Sequence, residues 1–304
     1  MISQRRPWAA ALLSLMAPGL GQLYAGSARS AIVLGIFTAP VGFSLLLIAA
    51  LAAPPAALFL LITSATIAAL WVGVPVHAAS RARAAGAAYE LGPFNRWYVY
   101  LAFIGALGLW QGAVVRFSRT YVVEAFRMPS ASGEPTLLVG DCFYVLKFSR
   151  GPRGLTDALV VFKSLEPGGL RVVKRAVGLP GDTLSMREGL LYRNGRQVTE
   201  PYTQRFHDTP PLEDRYVSQM RAWQVRHLIH TDAAHYLPTT RDWGPLVVPP
   251  DSFFAIGDNR DESYDSRFYG FIPLAHIAGQ PRIIYFSYES GVGIRWQRLG
   301  RRIQ

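Results

Sequence analysis

The sequence predicts a helical transmembrane region at the amino terminus followed by a mainly β domain. Three observations carry this. Apolar residues crowd into the first third of the 304-residue chain, in runs long enough to cross a bilayer as helix. Charge is segregated in the same way: residues 1–115 hold six Arg and one acidic residue, leaving 25 of the 31 basic and 19 of the 20 acidic residues to the remainder. After Arg116 the long apolar runs are replaced by short β-type runs broken by turn residues.

Taken in order, the first apolar stretch, Trp8 to Tyr24, is interrupted by P-G-L-G-Q at Pro18 to Gln22. Such a helix-breaking run suits a re-entrant or interfacial element better than a straight span. Its P-G-L-G-Q-L-Y-A-G resembles a short motif of small two-helix membrane domains and assigns no activity. Ala31 to Leu51, Ala56 to Val76 and Trp97 to Val115 are each nearly free of charge and close to the ~20 residues a spanning helix needs. Arg5, Arg6, Arg29, Arg81, Arg83 and Arg96 flank these segments, whereas the Ala52 to Pro55 connection carries no basic residue. The positive-inside rule places the arginines in the cytoplasm. Three crossings then export everything after Val115, and membrane lipid is an expected partner.

The β domain is expected as a core of residues 116–182 and 246–304 with an inserted accessory β region at 183–245. Predicted strands are Cys142 to Lys147, Ala158 to Phe162, Leu170 to Val177, Leu190 to Arg193, Gln197 to Thr199, Phe253 to Ile256 and Arg282 to Tyr288. Asn194-Gly195 is a hairpin turn signal, because both residues tolerate positive φ. The insert is polar and rich in His, Arg, Pro and Trp. Its His227, His230, Asp232 and His235 lack a spacing such as H-E-x-x-H and read as surface residues, so no metal is expected.

The formal net charge of +11 is scattered, with no basic run interleaved with aromatics, which argues against nucleic acid and for anionic headgroups. Cys142 is the only cysteine, so no internal disulfide forms.

Chemistry concentrates in three blocks. F-R-M-P-S-A-S-G-E-P-T-L-L-V-G-D runs from Phe126 to Asp141, V-V-K-R-A-V-G-L-P-G-D from Val172 to Asp182, and G-D-N-R-D-E-S-Y-D-S-R-F-Y-G from Gly257 to Gly270. A serine nucleophile needs a base, and a lysine on an apolar strand can serve once desolvation lowers its pKa. Ser132 and Lys174 are therefore a candidate Ser/Lys hydrolase pair. Ser132 lies 17 positions beyond Val115, a reach of at most ~55 Å at ~3.3 Å per residue, which keeps the serine near the bilayer.

In composition and order the three blocks resemble the signature blocks of bacterial type I signal peptidases, and the resemblance covers most of Phe126 to Pro273. It implies a signal-peptidase/LexA-like β fold in the bacterial cytoplasmic membrane, with the catalytic domain on the outer face. It also implies a serine endopeptidase, independent of any cofactor, that removes signal peptides from exported preproteins at Ala-x-Ala-like sites. By the same resemblance Ser132 is the nucleophile, Lys174 the general base, and the Ser130 side chain with the Ser132 N–H the oxyanion donors. Ser263 orients the lysine, Asp265 and Arg267 form a supporting ion pair, and Asp258 and Arg260 stiffen the loop. Phe126, Met128, Pro129, Leu137, Val172 and Val173 match positions that would line the substrate pockets. One departure stands out: Gly133 and Glu134 follow the nucleophile where the family usually has an apolar side chain, which predicts a wider or more polar first pocket. Two rivals are a self-cleaving LexA-like Ser/Lys peptidase, disfavoured by the spans and the lack of a DNA-binding amino-terminal domain, and an inert membrane adaptor that binds exported peptides, disfavoured by the intact serines and lysine.

Overall fold

The structure, a computed structural model, describes residues 2–52, 56–86, 89–147, 154–166, 168–203, 214–229 and 232–303. It divides into two compact units, Met1–Val123 and Glu124–Gln304.

The first unit is helical: α1 (Pro7–Met16), α2 (Leu20–Tyr24), α3 (Ala28–Ala52), α4 (Ala56–Ala68), a π-helical turn at Ala69–Gly73, α5 (Val74–Ala84) and α6 (Trp97–Tyr121), with β1 (Ile2–Ser3) paired to β2 (Tyr89–Glu90). Pro7 starts α1, where a missing N–H costs nothing. The expected break within residues 8–24 falls between α1 and α2, where Gly19 takes φ 95°. Gln22 of α2 is fully buried and bridges three helices: it accepts from Ser14 Oγ at 3.0 Å and donates to the Val74 carbonyl at 2.9 Å. Among the described residues one helix, α6, is long and apolar enough to cross a membrane. The other two expected spans fall on α3 and on α4 with the π turn. Residues 53–55 lie outside the described residues, as do the side chains of most of 43–60.

The second unit is mainly β. In chain order it contains β3 (Val123–Arg127), β4 (Asp141–Leu146), β5 (Leu159–Lys163), β6 (Arg171–Gly178), β7 (Thr183–Arg187), β8 (Leu190–Arg193), β9 (Arg196–Gln197), α7 (Asp214–Gln224), β10 (Trp243–Val247), β11 (Ser252–Ile256), α8 (Ser266–Tyr269), β12 (Ile272–Pro273), β13 (Ile277–Glu289) and β14 (Gly293–Ile294). One sheet runs β12-β11-β6-β5-β13-β4-β3, with β14 attached to β13, and a smaller one runs β10-β7-β8-β9. The pairings are antiparallel. The 13-residue β13 pairs with β5 through Ile277 and Gly279, with β4 from Gln280 to Ser287 and with β14 through Tyr288 and Glu289, and its register against β4 shifts between Pro281 and Ile283 and between Ile284 and Phe286. Such shifts bend a strand and raise its twist, and here they curl the sheet.

Seven strands were expected from the sequence, and each has a counterpart within a few residues; β13 begins at Ile277, ahead of the expected Arg282. β3, β7, β10 and the two-residue β12 and β14 were not anticipated. The insert is also not all β. It carries α7, whose Met220 is fully buried and whose Tyr216 and Trp223 pack on the same core as Phe254 and Phe268. Tyr216, Met220 and Trp223 recur at helical spacing, a period obscured by the charged residues between them.

Two cores flank the functional residues. Met128, Leu137, Phe143, Val145, Leu159, Val161, Ile284 and Ile303 form one. The other joins Val177 of β6 to the small sheet, α7 and α8.

Candidate active site

β6 brings the second block into the sheet in two different halves. Its residues pair with β5 from Arg171 to Arg175, and with β11 from Arg175 to Gly178. On the β11 side, Arg171 to Lys174 have no strand partner among the described residues. β3 ends the sheet and so presents a second unpaired edge. Both edges open onto one cleft of about 480 Å³, lined by Phe126, Arg127, Met128, Pro129, Ser130, Ser132, Glu166, Arg171, Val172, Val173, Lys174, Tyr216 and Tyr264.

Ser132 stands in a single 3-10 turn, Ala131–Gly133, entered from extended Ser130. Pro129 before it lacks an N–H and cannot extend the β3 ladder. The Ser130 and Ser132 hydroxyl oxygens are 3.2 Å apart, within hydrogen-bond distance. Lys174 is 5% exposed and Ser132 7%. The Lys174 amine donates to Ser263 Oγ at 2.9 Å. Burial pulls the Lys174 pKa down from 10.5 to about 8; Asp265 opposes that fall and Arg267 adds to it. At neutral pH about one Lys174 in ten is then the neutral amine that can accept a proton, far more than for an exposed lysine.

The third block holds these groups from behind. The Asn259 N–H donates to the Ser132 carbonyl at 3.3 Å. A Cβ on Gly257 would fall 2.2 Å from Ser263 Oγ and 2.7 Å from the Ser132 carbonyl oxygen, so a glycine is needed for the two segments to approach this closely. Asp265 accepts from the Gly257 N–H at 3.0 Å and pairs bidentately with Arg267, both contacts at 2.9 Å. Burial alone would raise the Asp265 carboxyl, but Arg267 and Lys174 hold it below the usual carboxylate range. Arg267 also donates to the carbonyls of Arg260 and Ser263, at 2.7 and 3.2 Å, which fixes the backbone that carries the Ser263 hydroxyl. Asp258 pairs bidentately with buried Arg175 at 2.8 and 2.7 Å and accepts from Thr136, tying the loop to β6 and to the Ser132 segment. Arg260 pairs with Glu200, and Arg175 lies 3.7 Å over the Tyr202 ring.

Five of the six expected pocket residues line the cleft. Leu137 does not: it is fully buried in the core under Met128. The wider pocket expected from Gly133 is also corrected. A Cβ there would meet Met128 Cε at 2.9 Å and Leu137 Cβ at 3.2 Å, so Met128 already fills the space a side chain would take. Glu134 is not part of the cleft wall. Sequence reasoning did not single out Arg127, Glu166, Arg171, Tyr216 and Tyr264 as cleft residues. Tyr264 lies inside the third block and was within reach; Glu166 and Tyr216 carry no local signal.

Of the histidine group, His230 lies outside the described residues. His235 pairs with Asp232 at the surface, and His227 packs against Trp223 and Phe271. Among the described residues no cluster of three or more His, Cys, Asp or Glu could hold a metal ion.

The comparisons with known proteins point the same way. A family model described as signal peptidase, peptidase S26, matches residues 99–286, more than half of the chain. The chain belongs to this family. Signal peptidase I of Pseudomonas aeruginosa is 32% identical over 200 residues, which cover 58% of this chain and 69% of the relative. Signal peptidase I of Bacillus caldolyticus is 31% identical over 195 residues, covering 64% and 90%. A crystal structure of signal peptidase I from Enterococcus faecalis, 30% identical, covers 41% of this chain and 93% of that one, with a TM-score of 0.27. The S26 family and its signal peptidase I members make this chain a serine endopeptidase, with signal-peptide-bearing preproteins as the implied substrates.

Proposed function

We propose that this S26 peptidase cleaves preproteins at the membrane with Ser132 as nucleophile and Lys174 as general base. The observation that carries the reading is the placement of Ser132 and Lys174 on one cleft, with the lysine buried, its pKa lowered to about 8, and its amine held by Ser263.

A preprotein segment enters extended between the free edges of β3 and the first half of β6 and exchanges main-chain hydrogen bonds with both. Small side chains before the scissile bond turn into the space bounded by Met128, Pro129, Val172 and Val173. The neutral Lys174 amine takes the Ser132 proton as Oγ attacks the carbonyl. The resulting oxyanion receives the Ser130 hydroxyl, which swings from its contact with Ser132, and the Ser132 N–H. Lys174 then gives its proton to the leaving amine, and a water activated by the same lysine hydrolyses the acyl ester. Ser263 accepts one amine hydrogen, which holds the nitrogen in place and leaves its lone pair able to turn toward Ser132. Three crossings by the amino-terminal region, with the 8–24 segment at the interface, hold this domain on the outer face of the cytoplasmic membrane.

Processing in detergent of a preprotein with an Ala-x-Ala site tests the reading. Ser132→Ala and Lys174→Ala are each expected to slow cleavage by about 10³-fold or more. Equal processing by the native chain and both variants would remove the mechanism.

A further inference from the structure

Helix α7 belongs to the insert, away from all three sequence blocks, yet its Tyr216 forms part of the cleft wall together with Tyr264. The two rings meet edge to face with centroids 6.5 Å apart. Both rest on Phe268 of α8: Tyr264 stacks on it at 5.1 Å and Tyr216 meets it edge-on at 5.7 Å. Gln219 of α7 donates to the Tyr264 hydroxyl. At the far end of α7, Trp223 Nε1 and Gln224 Nε2 donate to the Arg267 carbonyl at 3.1 and 3.0 Å. The helix is thus fastened to the loop that carries Ser263. Tyr264 is 36% exposed and Tyr216 half-buried, so part of each ring stays open to the cleft.

The strands mark one end of the cleft, and Tyr264 is tied to that end through its chain neighbour. Phe126 to Pro129 and Arg171 to Lys174 both run toward the Ser132 and Lys174 end, and Tyr264 directly follows Ser263, which accepts from the Lys174 amine. On the proposed reading, on which this inference rests, the residues before the scissile bond lie along the two strands. The chain that continues past the bond leaves at the tyrosine end. We infer that Tyr216 and Tyr264 form a specificity wall for the first two residues after the scissile bond, favouring apolar and cationic side chains over acidic ones. The ring faces carry partial negative charge, which attracts ammonium and guanidinium groups and disfavours carboxylates.

The test uses the full-length chain in detergent and matched preproteins that differ only in those two positions: Phe, Lys, Ala or Asp. The native chain is expected to cleave the Phe and Lys forms with kcat/KM about tenfold above the Asp form. Tyr216→Ala is expected to bring that ratio within about twofold, and Tyr216→Phe, which keeps the ring, to retain it. Tyr264→Ala provides the same readout where Tyr216→Ala fails to fold, as judged by thermal unfolding. An equal loss on every substrate, or a ratio unchanged in the alanine variants, would overturn the wall while leaving the proposed mechanism intact. If the native chain cleaved none of the series, or Ser132→Ala cleaved it equally well, the failure would lie in the mechanism.

Discussion

At the scale of single residues, Gly257 decides whether the site can exist. The space for its Cβ is taken by Ser263 Oγ and the Ser132 carbonyl, at 2.2 and 2.7 Å. An alanine must push one of them away, and with it either the hydroxyl that holds the Lys174 amine or the segment that carries Ser132. Gly257→Ala is expected to lower kcat by about 100-fold with KM little changed, because a misplacement near 1 Å at the reacting groups costs that much. Steady-state kinetics on a preprotein check this; a variant within twofold of native would show that the spacing is slack. Ser132, Lys174 and Ser263 were legible in the sequence because each sits in a recognisable local pattern. The role of Gly257 was not, since its meaning lies in an approach between two segments about 125 residues apart. Gly133 misled for the same reason: the missing side chain is replaced through space by Met128.

At the scale of elements, β6 organises the site by changing neighbours midway. Its first half leaves an edge open to the cleft, and its second half is buried against β11. The change occurs at Arg175, whose guanidinium is 2% exposed and neutralised by Asp258 at 1%. Asp258→Ala would leave a buried cation without its counter-charge, and a loss of about 3–5 kcal/mol in unfolding free energy is expected. Denaturant titration measures it; a change below about 1 kcal/mol would contradict a structural role for the pair. Strands with strong β-branched runs, such as β5 and β6, were readable in advance. β10 was not, because Gly244-Pro245 breaks its pattern. β3 was hidden because it follows α6 after a single residue, with no turn signal between them. α7 was hidden by an insert whose composition resembles a loop.

At the scale of the whole molecule, the division into a helical and a β unit was legible from hydropathy and charge segregation alone. The curl of the large sheet was not, since it depends on register shifts in β13 that no residue pattern announces. The three proposed crossings, oriented by the arginine distribution, are open to direct measurement. In a Cys142→Ser background, a cysteine replacing exposed Arg83 is expected to react with an impermeant maleimide only after the membrane is opened. One replacing exposed Arg187 should react from outside intact cells. Labelling of both from the same side would contradict three crossings.

The proposed catalysis requires an uncharged Lys174 amine that takes the Ser132 proton. The pH dependence of kcat/KM for preprotein cleavage tests it most directly. Deprotonation creates the active base, so the rate should fall tenfold per pH unit below the Lys174 pKa and level off above it, with the inflection near 8. A rate that stays flat from about pH 6 to 9 would contradict the assignment of Lys174 as the base.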